Sequence, residues 1–183
     1  MPMQSPNRWG NIVSWVDKVK DSIPDHAKDI RLNLDAVMNR SGLDEIDAHA
    51  CAFAAAIAAS NGELAYEISM DGPLMGSTER EAAKTAAALM GMNNIYYPFV
   101  EMTGDADLKG LPPGLRMNAY ATHGGVSKKK FEMYALAASI VGKCHFCVKN
   151  HYDTLKKEGM TVQELQAVGK IAAVVAAIGK VAL

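Results

Sequence analysis

Apolar positions recur at mixed three- and four-residue spacing along most of the chain. No segment sustains the strict alternation of a half-buried strand. Residues 24–38 place Ile30, Leu32, Leu34, Val37 and Met38 in helical register, with Asp21 and Ser22 as candidate caps. Residues 43–60 make an alanine-rich helix that Asn61-Gly62 closes. Thr78-Glu79-Arg80-Glu81 has capping-box form and opens a helix through Met90, where Gly91 interrupts. Residues 103–113, with Gly104-Asp105, Gly110 and the turn Pro112-Pro113-Gly114, read as a loop and as the best internal boundary. Ser127 caps a helix over 128–141 that Gly142 breaks, and another runs from about 144 to 157 with Gly159 at its end. Thr161-Val162-Gln163-Glu164 is a second capping box, opening the final helix to about Val181.

The pattern predicts an all-α helical bundle: a tail over 1–20, then one helical domain over 21–183. A faint internal echo divides that domain into two related halves, about 21–102 and 115–183. In each, a Thr-capped helix follows an alanine-rich one, at Thr78 and at Thr161. Composition agrees. At 183 residues, with 49% apolar and 21% charged side chains, the chain suits one well-cored domain. Its 11 methionines and sparse aromatics are a helical palette.

Net charge of −1 gives no footprint for nucleic acid, and Lys128-Lys129-Lys130 reads as a solvated first helical turn. No apolar run reaches membrane-spanning length, since Lys170 and Lys180 bound the closest one. Residues 1–6 lack the pattern of a signal peptide, so a cytoplasmic location is expected. In a reducing cytosol, a C-x-x-C among only three cysteines is catalytic or a metal site.

That pair belongs to a larger constellation: Glu132, Cys144, Cys147 and His151, spaced E-x11-C-x-x-C-x3-H. Two thiols this close can form a disulfide. A histidine one turn past the second can take its proton, and a carboxylate can set the histidine's tautomer. These are the parts of a thiol-based reductase or peroxidase. On an ideal helix the two cysteines lie about 60° apart with His151 between them. The helix dipole favours Cys144 as the attacking thiol, whereas the histidine, one turn away, favours Cys147 and carries more weight. Cys147 would then become a sulfenic acid and Cys144 would condense with it, leaving a disulfide for a dithiol donor to reopen. A competing reading makes Cys144, Cys147, His151 and Glu132 four ligands of a structural zinc, although such sites favour a knuckle turn and a distant second pair. Cys51 reads as a small core residue. His26, His49 and His123 have no partner at useful spacing, and His145 points away from the Cys/His stripe.

The signature resembles that of the alkyl hydroperoxidase D group within the carboxymuconolactone decarboxylase-like superfamily. Residues 25–34 (DHAKDIRLNL), 88–97 (ALMGMNNIYY) and 111–118 (LPPGLRMN) share the likeness, which runs from about residue 20 to the end. The resemblance implies an all-helical homotrimer and a cytoplasmic antioxidant protein with no bound cofactor. Such a protein reduces organic hydroperoxides. It also regenerates a peroxiredoxin of the alkyl hydroperoxide reductase C type, using electrons from a dihydrolipoyl group on a lipoyl-carrying protein. By the same resemblance Cys147 matches the thiol that forms sulfenic acid, and Cys144 its partner in a Cys144–Cys147 disulfide. His151 and Glu132 match the proton relay. Members often carry a further relay histidine just before the second cysteine; here Phe146 holds that position and the histidine stands at 145. A module that only passes electrons to a peroxiredoxin is a second reading. The superfamily also contains decarboxylases without the cysteine pair, so fold alone does not define activity.

Overall fold

Every regular element of the computed structural model, which describes residues 14–70 and 75–181, is a helix. In order these are α1 (Trp15–Ser22), α2 (Lys28–Asn39), α3 (Glu45–Ala58), α4 (Gly62–Met70), α5 (Ser77–Thr103), α6 (Ala106–Gly110), α7 (Asn118–Ala121), α8 (Lys128–Gly142), α9 (His145–Lys157) and α10 (Val162–Ile178). Short 3₁₀ turns at Asp25–Ala27 and His123–Gly125 precede α2 and α8.

The core is built on alanine. α3 buries Ala48, Ala50, Ala52, Ala54, Ala55 and Ala56, so it is apolar almost all round and sits deepest. Asp44 starts it by accepting the N–H groups of Ile46 and Asp47. Small side chains let α5, α8 and α10 close around α3. Larger residues such as Leu34, Met90, Leu136, Val168 and Ile171 fill the gaps between them. No helix among the described residues is long and apolar enough to cross a membrane.

Several boundaries differ from those the sequence predicts. The tail boundary at residue 20 falls inside α1, which buries Trp15, Val16 and Val19 against the core; residues 1–13 of that tail lie outside the described residues. Ser22 ends α1 instead of capping α2, and its hydroxyl donates to the Val19 carbonyl. After Asn61, the chain continues directly into α4, with Asn61 Oδ1 accepting the Leu64 N–H at 3.1 Å. Thr78 does not cap α5. Gly76 stands at the cap, and a β-carbon there would meet the Glu79 carboxylate at 2.8 Å. Nor does Gly91 interrupt α5, which runs 27 residues through both Gly91 and Pro98. An internal glycine costs only about 1 kcal/mol, and apolar burial along the same helix, at Ala83, Ala86, Ala87 and Met90, offsets that.

The reversal between α8 and α9 positions the site. Gly142 remains helical; Lys143 takes the left-handed conformation at φ 55°, and its N–H returns to the last carbonyls of α8. Gly142 serves a different need: a β-carbon there would collide with the Asn94 side chain, whose Nδ2 donates to the Ala138 carbonyl at 3.1 Å. Gly124 meets a similar need, because at φ 58° it lies against the Ala82 backbone of α5. The predicted caps at Ser127 and Thr161 form as expected, the latter as a reciprocal box with Glu164.

Candidate active site

Glu132 sits on the second turn of α8, a register set by the Ser127 hydroxyl accepting the Lys130 N–H. Its neighbours Phe131 and Met133 are also buried, so the carboxylate is only 1% exposed. A buried carboxylate requires partners. The first is His151 on α9, whose Nδ1 lies 2.6 Å from Glu132 Oε2 while the ring is 6% exposed. The second is Tyr120 on α7, whose hydroxyl donates to Oε1. Burial pushes the Glu132 carboxyl up, but hydrogen bonds from His151 and Tyr120, with positive charge at His151 and Lys128, outweigh it and leave the group below its ordinary value. An ionised carboxylate only accepts, so the Nδ1 proton belongs to His151. The far nitrogen, Nε2, faces the Met90 sulfur at 3.1 Å.

The cysteines flank the start of α9. The sequence starts this helix at about Cys144; in the structure Cys144 is its N-cap, with φ −80° and ψ 103°. The helical-wheel relation therefore applies only to Cys147 and His151, one turn apart on α9. Cys144 Sγ accepts the Cys147 N–H at 3.2 Å and is bonded to Cys147 Sγ, with the two Cα atoms 5.2 Å apart. Both residues are buried, Cys144 fully. The Asn93 carbonyl of α5 lies 3.9 Å from Cys144 Sγ, placed to accept the thiol proton once the pair is reduced.

The remaining sequence candidates, His123 apart, make contacts elsewhere. The His145 side chain is 80% exposed and pairs with Glu101 across the end of α5 at 3.0 Å. Phe146 stacks on Tyr97 with ring centroids 4.2 Å apart. Cys51 is fully buried in α3, and burial pushes its thiol up, as a core residue requires. His49 hands its Nδ1 to the Glu45 carbonyl within the same helix, and His26 is exposed. His123 packs beside Tyr120 and Phe131. No group of three or more His, Cys, Asp or Glu among the described residues is arranged to hold a metal ion.

Tyr120, Met90 and Asn93 are not legible from spacing. Tyr120 precedes Glu132 by 12 positions across a loop, and Met90 precedes His151 by 61. Neither separation corresponds to a helical period.

The arrangement couples a dithiol–disulfide pair to a buried imidazole–carboxylate pair. The model of the carboxymuconolactone decarboxylase family matches residues 106–182. The chain is 39% identical to the alkyl hydroperoxide reductase AhpD of Rhodospirillum centenum, covering 91% of this chain and 89% of that protein. It is 38% identical to the protein of the same name from Coxiella burnetii, over 90% and 94% of the two chains. With that of Maricaulis maris it shares 37% identity, over 91% and 96%. Similarity of this extent, reaching from α1 to α10, shows that the chain belongs to the AhpD group of the carboxymuconolactone decarboxylase family.

Proposed function

We propose that the protein is an antioxidant thiol peroxidase and disulfide reductase, working through Cys144 and Cys147 and acting on organic hydroperoxides. The observation that carries this reading is the 2.6 Å contact between His151 and Glu132, one helical turn beyond a bonded cysteine pair. A structural disulfide has no need of a buried base.

In the reduced protein, Nε2 of His151 takes the proton of Cys147, and Glu132 steadies the imidazolium through Nδ1. The thiolate attacks the outer peroxide oxygen. The O–O bond breaks, Cys147 becomes a sulfenic acid, and the departing alkoxide collects a proton to leave as an alcohol. Cys144, whose thiol has the Asn93 carbonyl as acceptor, then attacks the sulfenic sulfur. The S–S bond forms and water leaves. A dihydrolipoyl-type dithiol on a carrier protein reopens the bond by exchange and is itself oxidised to the disulfide. The same Cys144–Cys147 dithiol, presented to a disulfide of a peroxiredoxin of the alkyl hydroperoxide reductase C type, would regenerate that partner. The working form is a cytoplasmic homotrimer with no bound cofactor.

Titration of the reduced protein with an alkyl hydroperoxide, followed by free-thiol counting, tests the reading. Loss of two thiols per chain with one equivalent of alcohol produced is expected. Thiols that persist under excess peroxide, yet are consumed by an oxidised peroxiredoxin, would show a module that only passes electrons.

A further inference from the structure

Glu132 has two oxygens and two partners, and only one of those partners belongs to the relay. Oε2 faces His151; Oε1 receives the hydroxyl of Tyr120. The phenol ring is held in place from two sides. Phe131, fully buried, meets it edge-on at 5.4 Å, and the His151 ring lies tilted beside it at 6.4 Å. We propose that Tyr120 is a positioning residue for the relay: its hydroxyl anchors Oε1, so that Oε2 stays on Nδ1 of His151 and the carboxylate stays ionised through the cycle.

The relay needs that service for a definite reason. His151 can accept a thiol proton at Nε2 only while its own proton sits on Nδ1. That tautomer persists only while Glu132 is an acceptor. Were Glu132 protonated, it would donate to Nδ1, the ring proton would move to Nε2, and the base would no longer be available to the thiol. Burial pushes the carboxylate toward that state, and hydrogen bonds oppose it. The bond from His151 changes character as the imidazole gains and loses a proton. The bond from Tyr120 does not, because burial and the neighbouring carboxylate push its phenol up and keep it a donor. The charged and titratable groups facing Glu132 are His151 from α9, Tyr120 from α7 and, on its own helix, Lys128. His123 lies at the edge of the Tyr120 ring, and α5 contributes the uncharged Met90 to the far side of His151.

The inference rests on the relay proposed above, and it is tested on the imidazole itself. Nitrogen-15 NMR of His151 in the reduced full-length protein reports both tautomer and titration midpoint. The wild type should show the Nδ1–H tautomer. Tyr120→Phe removes one donor from the carboxylate, so the Glu132–His151 pair binds its proton more tightly. Its midpoint should rise by about one pH unit, with kcat at neutral pH falling by about two- to tenfold and KM for the hydroperoxide unchanged. Incorporating 3-fluorotyrosine at position 120, a stronger donor of similar shape, should move the midpoint the other way. In a Glu132→Gln background, Tyr120→Phe should move nothing. A folded Tyr120→Phe variant with wild-type midpoint and tautomer would overturn the proposal. If that variant does not fold, an unmoved midpoint in the fluorotyrosine protein would overturn it equally. Should the wild type titrate as expected yet consume no peroxide, the relay reading fails, and the midpoints still judge Tyr120.

Discussion

Nε2 of His151 lies 3.1 Å from the sulfur of Met90, the side of the ring opposite its bond to Glu132. A thioether has no proton to give, so it makes no hydrogen bond to the bare Nε2 of the Nδ1–H tautomer and accepts only weakly from an imidazolium. The imidazole is thus hydrogen-bonded at Nδ1 and unbonded at Nε2 by these two contacts, which leaves the second nitrogen as the one that the proposed relay would use.

His151→Phe should therefore slow peroxide turnover at neutral pH by about 10²–10⁴-fold, the usual worth of a general base. It should also raise the pH at which Cys147 is alkylated. Glu132→Gln should slow turnover as well, while a chemical oxidant still closes the disulfide. Replacing His145 should change little, because its side chain is 80% exposed and pairs with Glu101. The pH profile of Cys147 alkylation in the three variants decides this. An unchanged profile in His151→Phe beside a large shift in the His145 variant would transfer the base role to His145.

Cysteine roles should separate in the same way. Cys147→Ser should abolish peroxide consumption, whereas Cys144→Ser should leave a sulfenic acid at Cys147 that dimedone traps. The N-cap position of Cys144, with the Cys147 N–H on its sulfur, favours a thiolate there; the Asn93 carbonyl favours a thiol that keeps its proton. Trapping at Cys144 instead would mean that the cap wins. Cys51, fully buried, should stay unmodified, and a Cys51-linked peptide as the main oxidation product would contradict the pairing.

The chain announces its helices and cysteine chemistry locally, but not the contacts that finish the site. Ser127 and Thr161 are readable as caps because a cap is satisfied within four residues. Thr78 has the same form yet lies inside α5, where Gly76 lets Glu79 fold over the helix start. Gly91 and Gly142 both read as helix breaks. Tertiary packing carries α5 through Gly91, whereas α8 does end at Gly142, with the left-handed turn falling to Lys143 and Gly142 admitting Asn94. The E-x11-C-x-x-C-x3-H spacing brings Glu132 and His151 into view, since α8 and α9 are consecutive. Tyr120 and Met90 come from elements whose placement no local spacing encodes.

Acid should expose the Glu132 contribution to stability. Its carboxyl lies below the ordinary value in the folded chain, so the unfolded chain binds more protons in the acidic range. The stabilisation is fully present above an unfolded value of about 4.3 and is lost as pH falls through the lower folded value. Asp35, Asp153 and Glu164 are held low too, by Lys20, Lys149 and Thr161, so a difference curve is needed. Urea midpoints against pH should fall less steeply below about pH 5 for Glu132→Gln than for the wild type. Parallel curves would show that Glu132 gains nothing from its partners.

Glycine substitutions should discriminate close approach from mere helix propensity. Gly142→Ala drives a methyl into Asn94 and should cost about 1–3 kcal/mol, the usual penalty of overpacking. Gly169, inside α10, has open space where a β-carbon would sit, with nothing within 4 Å, and Gly169→Ala should instead stabilise by about 0.4–1 kcal/mol. Adding Asn94→Ala should recover part of the Gly142→Ala loss. Equal effects at both glycines in chemical denaturation would remove the packing explanation.

Assembly is the last expectation, and the surface supplies its physical motive. The C-terminal half of α5 leaves Ile95 74%, Phe99 48% and Met102 80% exposed, and Leu111 and Phe146 are also solvent-facing. Isolated exposed apolar residues are ordinary, but large ones repeated along one helix are a costly surface for a lone chain. Residues 95, 99 and 102 follow helical spacing, so they share one face that a second copy can cover. Sedimentation equilibrium at micromolar concentration should give a trimer of the 19.6 kDa chain. Ile95→Glu with Met102→Glu should shift the population toward monomer while leaving the helical circular dichroism intact. A wild-type species near 19.6 kDa would count against the trimer, and an intact trimer in the doubly charged variant would place the interface on another face.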